Sequence, residues 1–410
     1  MSGGAVTSSR PRPAAVERDA DHDVAAPPVA DAVGWFRPDQ LVASDRAHRP
    51  ARRARALGDL LDVAVPAGLL LAGIGPRLAG PGTGRSWVAG VVALVAVGEL
   101  AAWPLRAALD ARVELGPEAR RHGETPSASA FGACFVALAV ARLALSSAVA
   151  VGAVAVIRWS PWWPLWLAGL VGLAAVGYGL VQARAGGRLV AAGGGRPAPP
   201  EVTGRLWALS AGAGLPSAAT TSAWVASDRG SVGEGARLVG LGRHRSLVLD
   251  RAVAGGRPAD LDVVIAHELG HRRHHHAAAG LLRGVAAVAL VLIALRAVLA
   301  RLGVDPAAPA SLPALWLAVV LAAVPTRLAL SAAARHDELE ADRFAATLVP
   351  GGSRQVADHL RRHLLSTGAD LRPGRWDRLV GGHPAPSLRL DALGPAVAAP
   401  AVAPAQERAR

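Results

Sequence analysis

The sequence predicts a mainly α-helical chain in which several membrane-crossing helices carry one small α+β unit. Three observations predict it. Of the 410 residues, 52% are hydrophobic and only 18% are charged, where soluble domains carry about a quarter charged residues. The apolar residues are clumped into runs near the ~20 residues needed to cross a bilayer, and the mean hydropathy is +0.31. Between these runs, one polar stretch at 183–277 mixes helical and strand patterns.

Residues 1–33, rich in Ala, Pro, Ser and Asp, predict a disordered tail. They are no signal peptide, because no apolar core precedes about residue 57. An N-terminal membrane domain is expected over 34–182, with four spans at 57–76, 87–108, 129–157 and 162–182. The first carries Asp59 and Asp62. The third carries Arg142, which either faces an internal polar cavity or pairs with an acid such as Glu99. A linker follows at 183–200, "AGGRLVAAGGGRPAPPE".

The unit expected at 201–393 opens with a short helix in "TGRLWALSAGAG". Strands follow at "SAWVAS" and "RSLVLD", with a further strand and turn in the Gly-rich segment between them. Two more spans, 278–300 and 312–334, lie inside this unit, and 394–410 is a low-complexity tail. Arg46, Arg49, Arg52, Arg53 and Arg55 precede the first span, so the N-terminus is expected in the cytoplasm of a plasma-membrane protein. Counting spans then puts 183–277 and everything after the sixth span on that same side, both termini included.

The net charge is +13, carried by arginine without lysine. These arginines flank apolar runs and form no stripe with interleaved aromatics, so nucleic acid is not an expected partner. Cys134 is the only cysteine, which excludes an intrachain disulfide and a thiolate zinc cluster.

"VVIAHELGHRRHHH", Val263 to His276, holds five histidines in fourteen residues. His267 and His271 are four apart, so a helix puts both imidazoles on one face, where they can share a tetrahedral zinc ion. Glu268 follows the first and can act as general base on a water. Gly270 leaves room for another backbone. The remaining run, Arg272 to His276, reads as an anchor at the membrane surface.

A catalytic zinc needs a third protein ligand and an open position. "ARHDELEADRFAATL" past the sixth span offers Glu338, with Asp342 one turn on to orient an imidazole or pair with an arginine. The alternative is a solvated acidic face. The span count favours the ligand reading, because it returns this helix to the side of "HELGH".

"HELGH", two apolar spans and then "RHDELEADRFA" resemble the M48 family of membrane zinc metallopeptidases, whose second motif matches Arg335, Glu338, Ala341 and Asp342. "HPAPSLRLDAL" is similar to a third family segment, with His383 and Arg389. The N-terminal half looks like the CAAX prenyl protease (Ste24-like) branch, with the HtpX type the nearest relative. The resemblance implies a zincin-like catalytic domain with one Zn2+ on His267, His271 and Glu338 and with Glu268 as base. It also implies His383 as oxyanion stabiliser, while Asp342, Arg389 and Arg335 steady ligands or touch substrate. The expected activity is zinc metalloendopeptidase cleavage of peptides or membrane proteins. A catalytically degenerate scaffold or receptor is the alternative. The sequence departs from the branch at Gly235-Ala236, where an Asn-Ala pair usually grips substrate, and in showing six spans instead of seven. Oligomeric state and natural substrate are not encoded in these patterns.

Overall fold

The computed structural model describes residues 34–394 except 81–83, 85, 115–126, 216–221, 228–234 and 242–243. The expected tail at 1–33, all but Gly394 of the expected tail at 394–410, and part of the Gly-rich segment before Gly235 lie outside the described residues. The helices are α1 (Pro38–Leu71), α2 (Ile74–Ala79), α3 (Trp87–Glu114), α4 (Ala128–Trp159), α5 (Trp163–Ala192), α6 (Pro200–Gly212) and α7 (Arg251–Ala254). They continue with α8 (Pro258–Arg273), α9 (His276–Arg301), α10 (Leu312–Leu348), α11 (Gly352–Ser366), α12 (Arg375–Val380) and α13 (Pro386–Ala392). Strands β1 (Arg196–Pro197), β2 (Ser222–Val225), β3 (Ala236–Leu241) and β4 (His244–Leu249) form one sheet in the order β1-β2-β4-β3.

Five described helices are long and apolar enough to cross a membrane: Trp87–Ala111, Ser129–Trp159, Trp163–Ala185, His276–Arg301 and Pro309–Leu348. The expected first span, 57–76, is not among them. It divides between α1 and α2, which meet at Gly73 in the left-handed region (φ 62°). Its charges explain the difference. Asp62 pairs with Arg106 of α3, while Asp59 lies 3.7 Å from Arg327 of α10 and accepts from the Trp376 indole at 3.1 Å. This face of α1 is therefore built for partners and not for lipid. Even so, α1 runs the depth of the bundle. The segment before it and its middle touch the α+β unit, through Trp35–Asp391 and Arg55–Asp377. At the far end α2 packs on the 309–311 turn between α9 and α10, so tightly that a Cβ on Gly75 would collide with the Ala310 carbonyl. Arg142 meets both of its expected readings: it is ion-paired with Glu99 at 3.1 Å, and the pair lines a cavity of about 530 Å3.

β4 is buried on both faces: Leu247, Val248 and Leu249 are each at most 1% exposed. Its cover comes from two directions, which makes it a continuous apolar run instead of an alternating one. On one side, Val202 and Leu206 of α6 pack with Leu261, Ile265 and Leu269 of α8 against Ala223, Leu247 and Leu249. On the other, the end of α5 passes so close that a Cβ on Gly187 would sit 2.6 Å from the Trp224 ring. β3 pairs with β4 antiparallel, Leu238 opposite Leu247, and among the described residues no strand pairs with its other side.

α8 starts at Pro258 in its first turn and buries Leu261, Val263, Ile265, Ala266, Leu269 and Gly270. It crosses α10 at Gly270, where a Cβ would lie 3.0 Å from Ala341 Cα and 3.2 Å from Ala341 O. Since backbone cannot yield as a side chain can, Gly270→Val should separate the helices and cost about 1–3 kcal/mol by overpacking. A lowered melting temperature would show this. α10 is one unbroken helix of 37 residues, about 55 Å at 1.5 Å per residue. Its membrane portion, which includes Pro325, therefore continues without a break into the acidic motif.

Candidate active site

Helical periodicity puts His267 and His271 of α8 on one face, and the α8–α10 crossing brings Glu338 to them. The two histidine Nε2 atoms are 3.1 Å apart. Glu338 Oε1 is 3.2 Å from His271 Nε2, and Oε2 is 3.7 Å from His267 Nε2. All three donor atoms fall within 4.8 Å of one another. A tetrahedral ion with ligand bonds of about 2.0–2.1 Å needs donors roughly 3.3 Å apart; the histidine pair has that spacing, and the Glu338 carboxylate, which meets each imidazole with a different oxygen, closes to it by a small rotation. Two neutral imidazoles and one carboxylate are also donors suited to that ion.

The other expected site residues take distinct places. Asp342 Oδ1 lies 2.9 Å from His267 Nδ1, and Arg389 donates to the same carboxylate twice, at 2.8 and 2.7 Å. Arg389 also approaches Glu338 at 3.7 Å. His383, on the more open side, puts Nδ1 3.0 Å from Glu338 Oε2. Arg335 reaches none of these groups. It donates to the carbonyls of Leu379 and Gly381 at 2.8 and 2.9 Å, while Ser331 holds Val380 O. Its part is to fix the backbone that leads into His383.

Asp342 is 3% exposed and Arg389 has a bidentate grip on it. Asp342→Ala would leave that buried guanidinium with only the longer Glu338 contact and remove the acceptor of His267. The expected loss is about 3–5 kcal/mol, the cost of breaking one side of a buried pair, measured by thermal or denaturant unfolding.

Glu268 leans from α8 towards the sheet edge, where the Leu238 N–H of β3 donates to Oε2 at 3.0 Å. Burial pushes its pKa above the usual carboxylate range, while His267, His271 and the Leu238 N–H pull the other way. A carboxylate raised in this manner is suited to taking and returning a proton. For His271 burial disfavours the charged form, but the hydrogen bond and charge of Glu338 outweigh it and raise the pKa.

These residues line a cleft of about 370 Å3 between β3 (Ala236 to Leu238), α8 and α11. Its α11 wall includes His359 and His363, which sequence reading passed over although they are four apart on one helix face. Burial lowers both pKa values, His359 to about 4 despite Asp260 beside it, so this wall is uncharged at neutral pH. The structure also revises the histidine run. His275 is exposed and left-handed (φ 58°), but His276 is buried, with its Nδ1 2.9 Å from His271 Nδ1. It packs against the site at the start of α9. Glu340 of α10 accepts from its Nε2 side at 2.9 Å.

Residues 241–396 match the family model described as "Peptidase family M48". That range contains every expected site residue. No curated protein matches the chain in sequence. Among solved structures, a crystal structure of S. mikatae Ste24p superposes with a TM-score of 0.67 at 14% identity, covering 87% of this chain and 89% of that one. At this identity the likeness establishes the fold. Residues 241–396 are therefore a peptidase family M48 domain, carried on a multi-helix membrane fold of the Ste24p type.

Proposed function

We propose that the chain is a membrane-embedded, zinc-dependent metalloendopeptidase that holds one Zn2+ on His267, His271 and Glu338. The observation that carries this reading is the convergence of those three donors, all within 4.8 Å of one another, beside the half-buried Glu268. Zinc bound there supplies Lewis acidity that polarises a peptide carbonyl and makes water nucleophilic near neutral pH. Glu268 accepts the proton of the attacking water and passes it to the leaving amine. His383 stands at the mouth to donate to the oxyanion, and the Asp342–Arg389 pair holds His267 in place.

Substrate would enter as an extended strand along β3. Because the Leu238 N–H points away from β4, alternation turns Ala236 and Gly240 outward as well. The edge therefore offers backbone groups even though Gly235 carries no amide side chain. Gly235 instead takes φ 85° and donates its N–H to Asp250 Oδ2 at 3.2 Å, which fixes where β3 begins.

We further propose that α1 with α2 makes a sixth crossing beside the five apolar helices. The M48 domain and both termini would then face the cytoplasm at the plasma membrane, as the arginine bias implies, with peptides or membrane proteins as substrates. The test is hydrolysis of casein by detergent-purified protein. Cleavage should be lost with a chelator and return with zinc. Cleavage indifferent to chelation would sink the reading, and absence of cleavage by zinc-loaded protein would favour a degenerate scaffold.

A further inference from the structure

The two histidines at the metal site are held from behind by different chemistry. His267 Nδ1 meets the carboxylate of Asp342 directly at 2.9 Å. His271 Nδ1 instead meets a second imidazole, His276 Nδ1, at 2.9 Å. The chain of contacts continues from His276 Nε2 to Glu340 Oε2 at 2.9 Å, and the other Glu340 oxygen lies 2.9 Å from His274 Nδ1. His276 is 8% exposed and is the first residue of α9.

We propose that His276 and Glu340 are positioning residues that lock His271 in the tautomer able to bind metal, and so tie the metal site to membrane helix α9. The inference rests on the metal-site reading above. His271 Nε2 faces His267 and Glu338, so as a ligand it must carry a lone pair. The ring proton then sits on Nδ1 and is donated to His276 Nδ1, which must be bare. His276 therefore carries its proton on Nε2 and donates it to the Glu340 carboxylate. Only this assignment satisfies both hydrogen bonds while leaving His271 Nε2 free to ligate. Outer partners of this kind orient a ligand ring and raise its basicity.

The link to the membrane helix follows from the chain path. α8 ends at Arg273, and α9 begins at His276 after one left-handed residue, His275. That reversal turns the first side chain of α9 back onto α8. Glu340 stands on α10, the helix that also supplies Glu338. A shift of α9 relative to α8 and α10 would therefore strain the His271–His276–Glu340 series before it reached the ligands.

The experiment measures zinc affinity by chelator competition on the detergent-purified full chain, together with the d–d absorption of its cobalt(II)-substituted form. His276→Leu should weaken zinc binding by about 10–100-fold and alter the cobalt spectrum. His276→Asn keeps an acceptor near the Nδ1 position and should recover most of the affinity. Glu340→Gln should fall between wild type and His276→Leu, and it keeps the proposal testable if the leucine variant does not fold. Wild-type affinity and spectrum in both His276→Leu and Glu340→Gln would overturn the proposal. Equal losses in the Leu and Asn variants would also overturn it, since packing alone would then explain them. His271→Ala separates the two levels: if that variant still binds stoichiometric zinc, it is the metal-site reading that fails.

Discussion

Glu268→Gln is expected to abolish measurable peptide cleavage while about one zinc per chain remains bound. Positioned acid–base groups contribute about 10²–10⁴-fold to rate, and here one carboxylate would serve both proton transfers. The substitution is nearly isosteric. Glutamine keeps an oxygen to accept the Leu238 N–H that Glu268 receives at 3.0 Å, so β3 and α8 should stay in register. Glu268 is absent from the ligand set, whose donors are His267, His271 and Glu338. Steady-state cleavage and metal content on one preparation decide the matter. A fully active Gln variant would remove Glu268 from the mechanism, whereas joint loss of activity and zinc would show that it supports the site structurally.

Glu338→Ala is expected to lose both zinc and activity. The carboxylate faces both ligand imidazoles, receives His383 at 3.0 Å and lies 3.7 Å from Arg389. Removing it leaves two histidines, too few for a closed three-ligand site, and leaves the charge of Arg389 balanced by Asp342 alone. Metal analysis after gel filtration in detergent should give well under one zinc per chain. Stoichiometric zinc in the purified variant would show that another group, with His383 the nearest, completes the coordination. Asp342→Ala offers a contrast, since its expected effect falls first on stability and only through His267 on metal.

Much of this was legible because it is local. The four-residue spacing of His267 and His271 specifies a shared helix face in any α-helix, and apolar run length specifies the spanning helices by composition alone. Glu338 could be nominated because the span count returned it to the right side of the membrane. The Asp59 and Asp62 face of α1 shows where such counting weakens. A charged helix can run through the bundle when Arg106 and Arg327 meet its acids, and no window of hydropathy contains that pairing.

The sequence by itself singled out the residues proposed to carry the chemistry: the two histidines, the glutamate between them and the acid on the later helix. Tertiary structure alone decided how they are held. It turned Arg335 to the backbone before His383, gave Glu268 an amide from β3, and folded His276 back through a left-handed residue to support His271. The physical reason is range. Helix periodicity fixes neighbours three and four residues apart, whereas these contacts join separate elements and depend on how closely α8 and α10 approach at Gly270 and Ala341.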